Sequence, residues 1–141
     1  MAKTVKDIIK LIKDNDIKMV DFKMVDFSGQ FRHVTIPAGN FNESVMKNGI
    51  GFDASNYGYA VVEKSDMVFI PDPDTAVIDP FCQIPTLSMT GNAMIIDNPE
   101  NRPLSQYPRN IVLAAEKYMQ DSGIADTMLI LPEFEFYLFD Q

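Results

Sequence analysis

Val5, Ile8, Ile9 and Ile12 recur at i, i+3, i+4 and i+7, which places them on one face of a helix. Thr4 can cap it, with Asp7 three residues on in a weak capping-box pattern, and polar Asp14, Asn15 and Asp16 end it. The period then changes. IKMVDFKMVDFSGQFRHVTIP is β-rich around the turn signal Ser28-Gly29, which predicts a hairpin of 17–27 and 30–36 closed by Pro37 and Gly39. The pentad KMVDF occurs in tandem at 18–22 and 23–27. Five is odd, so in a strand the two copies face opposite sides, and no functional repeat is implied.

The pattern predicts a short helix over 40–49, with Asn40 as cap and Gly49 as stop. Residues 50–66 have no clean period and read as a long loop. MVFI (67–70) and TAVI (75–78) read as strands around PDPD, and TLSM and AMIID as a second hairpin around Thr90-Gly91-Asn92. The stretch 98–108 holds three prolines and is the linker candidate. Pro108 near a first turn and Gly123 at the end mark a further helix, and TMLILPEFEFYLFD returns to strand. The expected class is α+β with mostly antiparallel strands over 1–103. The opening of a second unit over 104–141, one helix and one or two strands, would follow. Such an opening cannot bury a core alone, so the chain reads as the start of something larger.

Composition narrows the partners. The chain has 141 residues, 46% of them hydrophobic and 23% charged, which is globular rather than disordered. A formal net charge of −8 argues against nucleic acid or an anionic membrane as main partner. A single cysteine, Cys82, excludes an intrachain disulfide. No apolar run approaches the roughly 18 residues of a membrane span, and the N-terminus has no signal-peptide pattern. A soluble cytoplasmic protein is expected.

The candidate chemistry lies in carboxylates. On a strand, Glu133 and Glu135 point the same way, roughly 6–7 Å apart. Two like charges that close, among apolar neighbours, need a positive partner, and an oxygen-liganded Mg²⁺ or Mn²⁺ suits them. An edge strand with its polar face in water is the alternative. Two carboxylates do not fill a hard-metal shell, so further ligands would lie elsewhere. The sole histidine, His33, reads as structural. The D-x-D of PDPDT resembles part of a phosphotransferase nucleophile motif, with Asp72 and Asp74. With Pro71 and Pro73 flanking Asp72, we read it as a turn.

In series, DFSGQFRHVTIP, GFDASNYGYAVVEKSDMVFIPD, YPRNIVLAAEKYMQDSGIADT and LPEFEFYLFD resemble the bacterial and archaeal glutamine synthetases, in the family's order and over nearly the whole chain. The resemblance implies a β-grasp-like N-terminal domain followed by the start of a larger catalytic domain. It implies homo-oligomeric rings, with each active site between one subunit's catalytic domain and its neighbour's N-terminal domain. The implied reaction joins ammonium to glutamate with ATP through a γ-glutamyl phosphate. By the family's pattern G-P-E-x-E-F, Glu133 and Glu135 would each ligate one of two divalent metals, although Leu131 replaces the glycine. FDASN matches F-D-G-S-S, so Asp53 would bind ammonium and take its proton, with Ser55 and Asn56 in the same loop. Ala54 and Asn56 depart from the pattern. Asp66 matches a further aspartate near the subunit junction. This chain alone is expected to be inactive and prone to self-association. A free-standing docking module, or a related ligase acting on another amine or acid, are the alternatives.

Overall fold

The computed structural model describes residues 2–97 and 99–140. Helix α1 spans Val5–Asp14 and begins with the capping box. The Asp7 amide donates to Thr4 Oγ1 at 3.3 Å, and the Thr4 amide donates to Asp7 Oδ2 at 2.7 Å. Ile8 is fully buried, with Val5, Ile9 and Ile12 packed beside it, as the apolar stripe predicts.

Among the described residues, eight strands form two four-stranded sheets. The first has the order β2 (Phe31–Pro37), β1 (Met19–Val25), β6 (Thr86–Met89), β5 (Val77–Ile78), and the second β3 (Ile50–Asp53), β4 (Asp66–Pro71), β7 (Gly91–Ile95), β8 (Arg102–Pro103). Strands β1 (Met19–Val25) and β2 (Phe31–Pro37) form the expected antiparallel hairpin, Met19 opposite Pro37 and Val25 opposite Phe31. The duplicated pentad serves two different purposes. Phe22 is fully buried, whereas Phe27 is half exposed. Asp21 accepts the Thr35 hydroxyl at 2.6 Å and pairs with His33 Nδ1 at 2.7 Å. Asp26 instead closes the hairpin turn, accepting the Ser28 and Gln30 amides at 2.8 and 3.0 Å and Arg32 Nε at 2.8 Å.

The core lies where the sheets meet. Val20, Phe22 and Met24 of β1 and Leu87 and Met89 of β6 (Thr86–Met89) face Phe52, Met67, Phe69 and Ala93 of the other sheet. The Phe22 and Phe69 rings meet edge to face at 6.3 Å. Pairing is antiparallel except for β1 with β6, which run parallel. The α+β, mostly antiparallel expectation holds.

Several local expectations do not. Helix α2 is Glu43–Asn48, and its cap is Asn42, not Asn40: Asn42 Oδ1 accepts the Ser44 and Val45 amides at 2.9 and 3.1 Å. Gly49 ends it with φ 77°. The supposed loop 50–66 starts with β3 (Ile50–Asp53), paired antiparallel to β4 (Asp66–Pro71). TLSM and AMIID form no hairpin. β6 stays in the first sheet, where Val77–Ile78 (β5) pairs with it, while β7 (Gly91–Ile95) pairs with β4 in the second. One intervening residue, Thr90, is too short to reverse the chain and instead carries it from sheet to sheet. Within the supposed linker, Arg102–Pro103 (β8) pairs with β7, and Leu104 and Tyr107 are buried. Helix α3 (Pro108–Asp121) has proline in its first turn and Gly123, φ 68°, just beyond its end.

The expected C-terminal strand is absent. Residues 125–140 form no regular element, because no strand edge among the described residues pairs with them. Leu129, Leu131, Phe134 and Tyr137 are each at least 85% exposed. Among the described residues, no helix is long and apolar enough to cross a membrane.

Candidate functional site

The β3–β4 register places Asp53 directly opposite Asp66. The next pair outward is hydrogen-bonded, with the Ala54 amide donating to the Ser65 carbonyl at 2.8 Å. By the alternation of antiparallel ladders, Asp53 and Asp66 therefore form a non-hydrogen-bonded pair, the kind whose side chains approach closest. Both are exposed. Two carboxylates facing each other in this way repel, and a cation between them relieves the repulsion.

The chain that joins the pair is folded tightly. A 3-10 turn over Ala54–Tyr57 follows Asp53 and ends at Gly58, whose φ of 76° suits glycine. Asp53 Oδ1 accepts the Ser55 amide at 2.9 Å and the Ser55 hydroxyl at 2.6 Å. The Ser55 hydroxyl and amide hold the Asp53 carboxyl below the usual aspartate range. The Ser65 side chain also contributes to holding it down. Asn56 is exposed on the same turn. On the return, buried Ser65 donates from its hydroxyl to the Val62 carbonyl at 2.9 Å.

An aromatic cluster anchors the loop. Phe52 and Tyr57 lie 5.6 Å apart, and Tyr59 meets Phe27 at 5.3 Å and Tyr107 at 5.7 Å, both edge to face. The Tyr59 hydroxyl donates to the Val25 carbonyl, and burial pushes its phenol well above the ordinary value. Sequence reasoning missed Tyr59 and Ser65. The alternating Tyr57-Gly58-Tyr59 was the available signal, since closely spaced aromatics in a polar loop usually pack.

The other predicted site residues are not brought to this pair by any regular element. Glu133 and Glu135 lie in the exposed, unpaired segment 125–140. Among the described residues, no group of three or more His, Cys, Asp or Glu could hold a metal ion. Asp72 and Asp74 occupy a turn, as read. Asp72 Oδ1 accepts the Asp74 amide at 3.0 Å and caps a 3-10 turn at Pro73–Thr75.

Known proteins share this architecture. A glutamine synthetase of Mycolicibacterium smegmatis is 44% identical over 139 residues, covering 98% of this chain and 29% of that protein. A 3-hydroxylaminophenol mutase of Cupriavidus pinatubonensis is 39% identical over 141 residues, covering 99% of this chain and 30% of that protein. This chain thus spans less than a third of the curated relatives' length, and the aligned stretch is the N-terminal part of the glutamine synthetases. Among solved structures, a GmaS–ADP complex superposes with TM-score 0.72 at 19% identity, covering 82% of this chain and 26% of that one. Plasmodium falciparum glutamine synthetase superposes with TM-score 0.69 at 17% identity, covering 86% and 23%. These structural likenesses show the fold. Residues 16–95 match the family described as glutamine synthetase, beta-Grasp domain, and with more than half of its length inside that match the chain belongs to this family.

Proposed function

We propose that this chain is the N-terminal part of a cytoplasmic, homo-oligomeric glutamine synthetase. The enzyme would join ammonium to glutamate with ATP, through γ-glutamyl phosphate. The observation that carries the reading is the opposed pair Asp53–Asp66 at the mouth of loop 54–65, in a chain of this family. The pair would be presented to the active site of a neighbouring subunit.

The chemistry of the pair suits a small cation. Ammonium offers four N–H donors, and the carboxylates of Asp53 and Asp66 offer acceptors. The hydrogen bonds from Ser55 lower the Asp53 pKa and so favour its ionised form. They also make Asp53 a weak base toward free ammonium. Asp53 therefore binds and orients the cation first. Ammonium has no lone pair until one proton leaves it, so Asp53 would accept that proton before or as the nitrogen bonds to the γ-acyl carbon, and phosphate would depart as the leaving group. Ser55 holds the carboxylate in place, and Asn56 lies beside it on the same turn.

Glu133 and Glu135 fit Mg²⁺ or Mn²⁺ in kind, since both present hard carboxylate oxygens. In number they fall short of a full shell, so other oxygens must join them from the rest of the enzyme, water or phosphate. Bound there, the cations would offset the negative charge of the transferring phosphoryl group.

A second reading rests on the mutase relative, whose identity to this chain is close to that of the synthetases. The gene product is tested for glutamine formed from glutamate, ammonium and ATP, by amino-acid chromatography. Glutamine should form, and Asp53→Asn should lower turnover about a hundredfold or more and raise the ammonium KM. No glutamine from the pure oligomer overturns the reading, and isomerisation of 3-hydroxylaminophenol in its place would favour the second.

A further inference from the structure

Arg109 stands in the first turn of α3, and its guanidinium is bound by three side chains from three places in the fold. Nε donates to Asn92 Oδ1 at 3.1 Å and Nη1 to Thr90 Oγ1 at 3.0 Å, while Nη2 pairs with Asp72. The ion pair is half-buried on both sides.

Its partners meet where the two sheets join. Thr90 is the residue that carries the chain from β6 to β7. Its carbonyl accepts the Asp72 amide at 2.9 Å, and its amide donates to Thr75 Oγ1 at 2.9 Å. Arg109 thus plugs the start of α3 into the knot between the β4 turn and the sheet-to-sheet crossing. Next to it, buried Asn110 donates from Nδ2 to the Ala93 and Leu104 carbonyls at 2.8 and 2.9 Å. Beyond Asn110 the helix is largely exposed, with Ile111, Val112 and Tyr118 all more than half in solvent. These side-chain hydrogen bonds tie α3 to the β-grasp body through its first turn.

We propose that Arg109 is a positioning residue: through Asp72, Thr90 and Asn92 it fixes the direction in which α3 leaves the β-grasp body. In the assembled enzyme that direction sets how the Asp53–Asp66 loop meets the neighbouring subunit. This consequence rests on the function proposed above; the latch itself does not. A forked guanidinium is needed because the three acceptors lie on different elements, and an ammonium cannot span them with the same planar geometry.

The test uses the gene product and its Arg109→Met, Arg109→Lys and Asp72→Asn variants. Hydrogen exchange reads the latch directly. Amides of residues 110–114 should exchange about tenfold faster or more in Arg109→Met, with those of β1 and β6 unchanged. Arg109→Lys should recover only part of the protection. Asp72→Asn should repeat the effect and add little in the double variant. Steady-state kinetics reads the consequence. The ammonium KM should rise about tenfold with the ATP KM unchanged, whereas a merely structural loss would lower the active fraction and leave both KM values alone. Unaltered exchange at 110–114 overturns the latch. Faster exchange with an unaltered ammonium KM, when Asp53→Asn does raise it, overturns the positioning role. If Asp53→Asn also leaves the ammonium KM alone, the functional reading fails, and the exchange data still decide the latch.

Discussion

Gly91→Ala tests the sheet crossing. Gly91 opens β7 opposite Pro71 of β4. Its backbone angles are ordinary, so any cost of a side chain is a matter of space. A Cβ there would lie 2.2 Å from the Ile70 carbonyl oxygen, 2.8 Å from Pro71 Cα and 2.9 Å from the Ile70 carbonyl carbon. All three are backbone atoms of a paired strand, and no rotamer change relieves the contact. Reaching van der Waals distance needs a shift of about 1 Å between β4 and β7, which would disturb the ladder and the core behind Phe69. Overpacking costs about 1–3 kcal/mol where side chains can give. Here they cannot, so we expect about 3 kcal/mol, a large share of a total stability of about 5–15 kcal/mol. Gly51→Ala is the matched control. It is also a strand glycine, but a Cβ there meets nothing within 4 Å. Restricting the unfolded chain should then stabilise by about 0.4–1 kcal/mol. Urea unfolding of the 141-residue chain followed by circular dichroism measures both. If the two variants fall within about 0.5 kcal/mol of each other, the steric argument fails, and with it the close β4–β7 approach at the crossing.

Asn110→Ala removes both hydrogen bonds that tie α3 to the Ala93 and Leu104 carbonyls, which keep only the Leu104 and Tyr107 amides as donors. A loss of about 2 kcal/mol in the same unfolding assay is expected, and a loss below about 0.5 kcal/mol would contradict the burial of that turn. Asp79 is held at a pKa of about 2 by Lys23 first, then by the Phe81 amide and the Ser88 hydroxyl, below an ordinary value of 3.8. A carboxyl lowered by folding contributes stability that is complete above its unfolded value and lost as pH falls toward the folded one. Unfolding free energy should therefore decline between about pH 5 and pH 2, and Lys23→Met should flatten that decline. Parallel profiles for parent and variant would refute it.

Much of the fold is legible because its signals are local. The Thr4–Asp7 box, the Ser28-Gly29 turn and the Pro108…Gly123 frame of α3 each act within a few residues. The failures are non-local. Hydrophobic alternation marks TLSM and AMIID as strands but cannot say that they belong to different sheets. That outcome depends on β1 accepting β6 in parallel and on Gly91 fitting against Ile70. β3 was missed for a similar reason, since IGFD has a glycine and an aspartate and becomes a strand only by pairing with MVFI. Asp53 and Asp66 were found through family resemblance, thirteen positions apart. That they face each other follows from the register alone.

The two halves of the candidate site differ in how they are ordered. Asp53 and Asp66 are placed by a hairpin that buries Phe52, Met67 and Phe69 and so supports itself. Glu133 and Glu135 sit among Leu129, Leu131, Phe134 and Phe136, all more than 75% exposed. An extended apolar segment of this kind takes strand conformation only when a neighbouring strand supplies hydrogen bonds and a packed face covers its side chains. α3 and residues 126–130 already leave a cleft of about 520 Å³ lined by Ile111, Val112, Ala115, Met119, Met128 and Ile130. Two carboxylates at alternate positions repel, so such cover is favourable only together with positive charge. The aspartate half of the site is thus set by pairing within residues 50–69, whereas the proposed glutamate half would need both a covering strand and positive charge to become ordered.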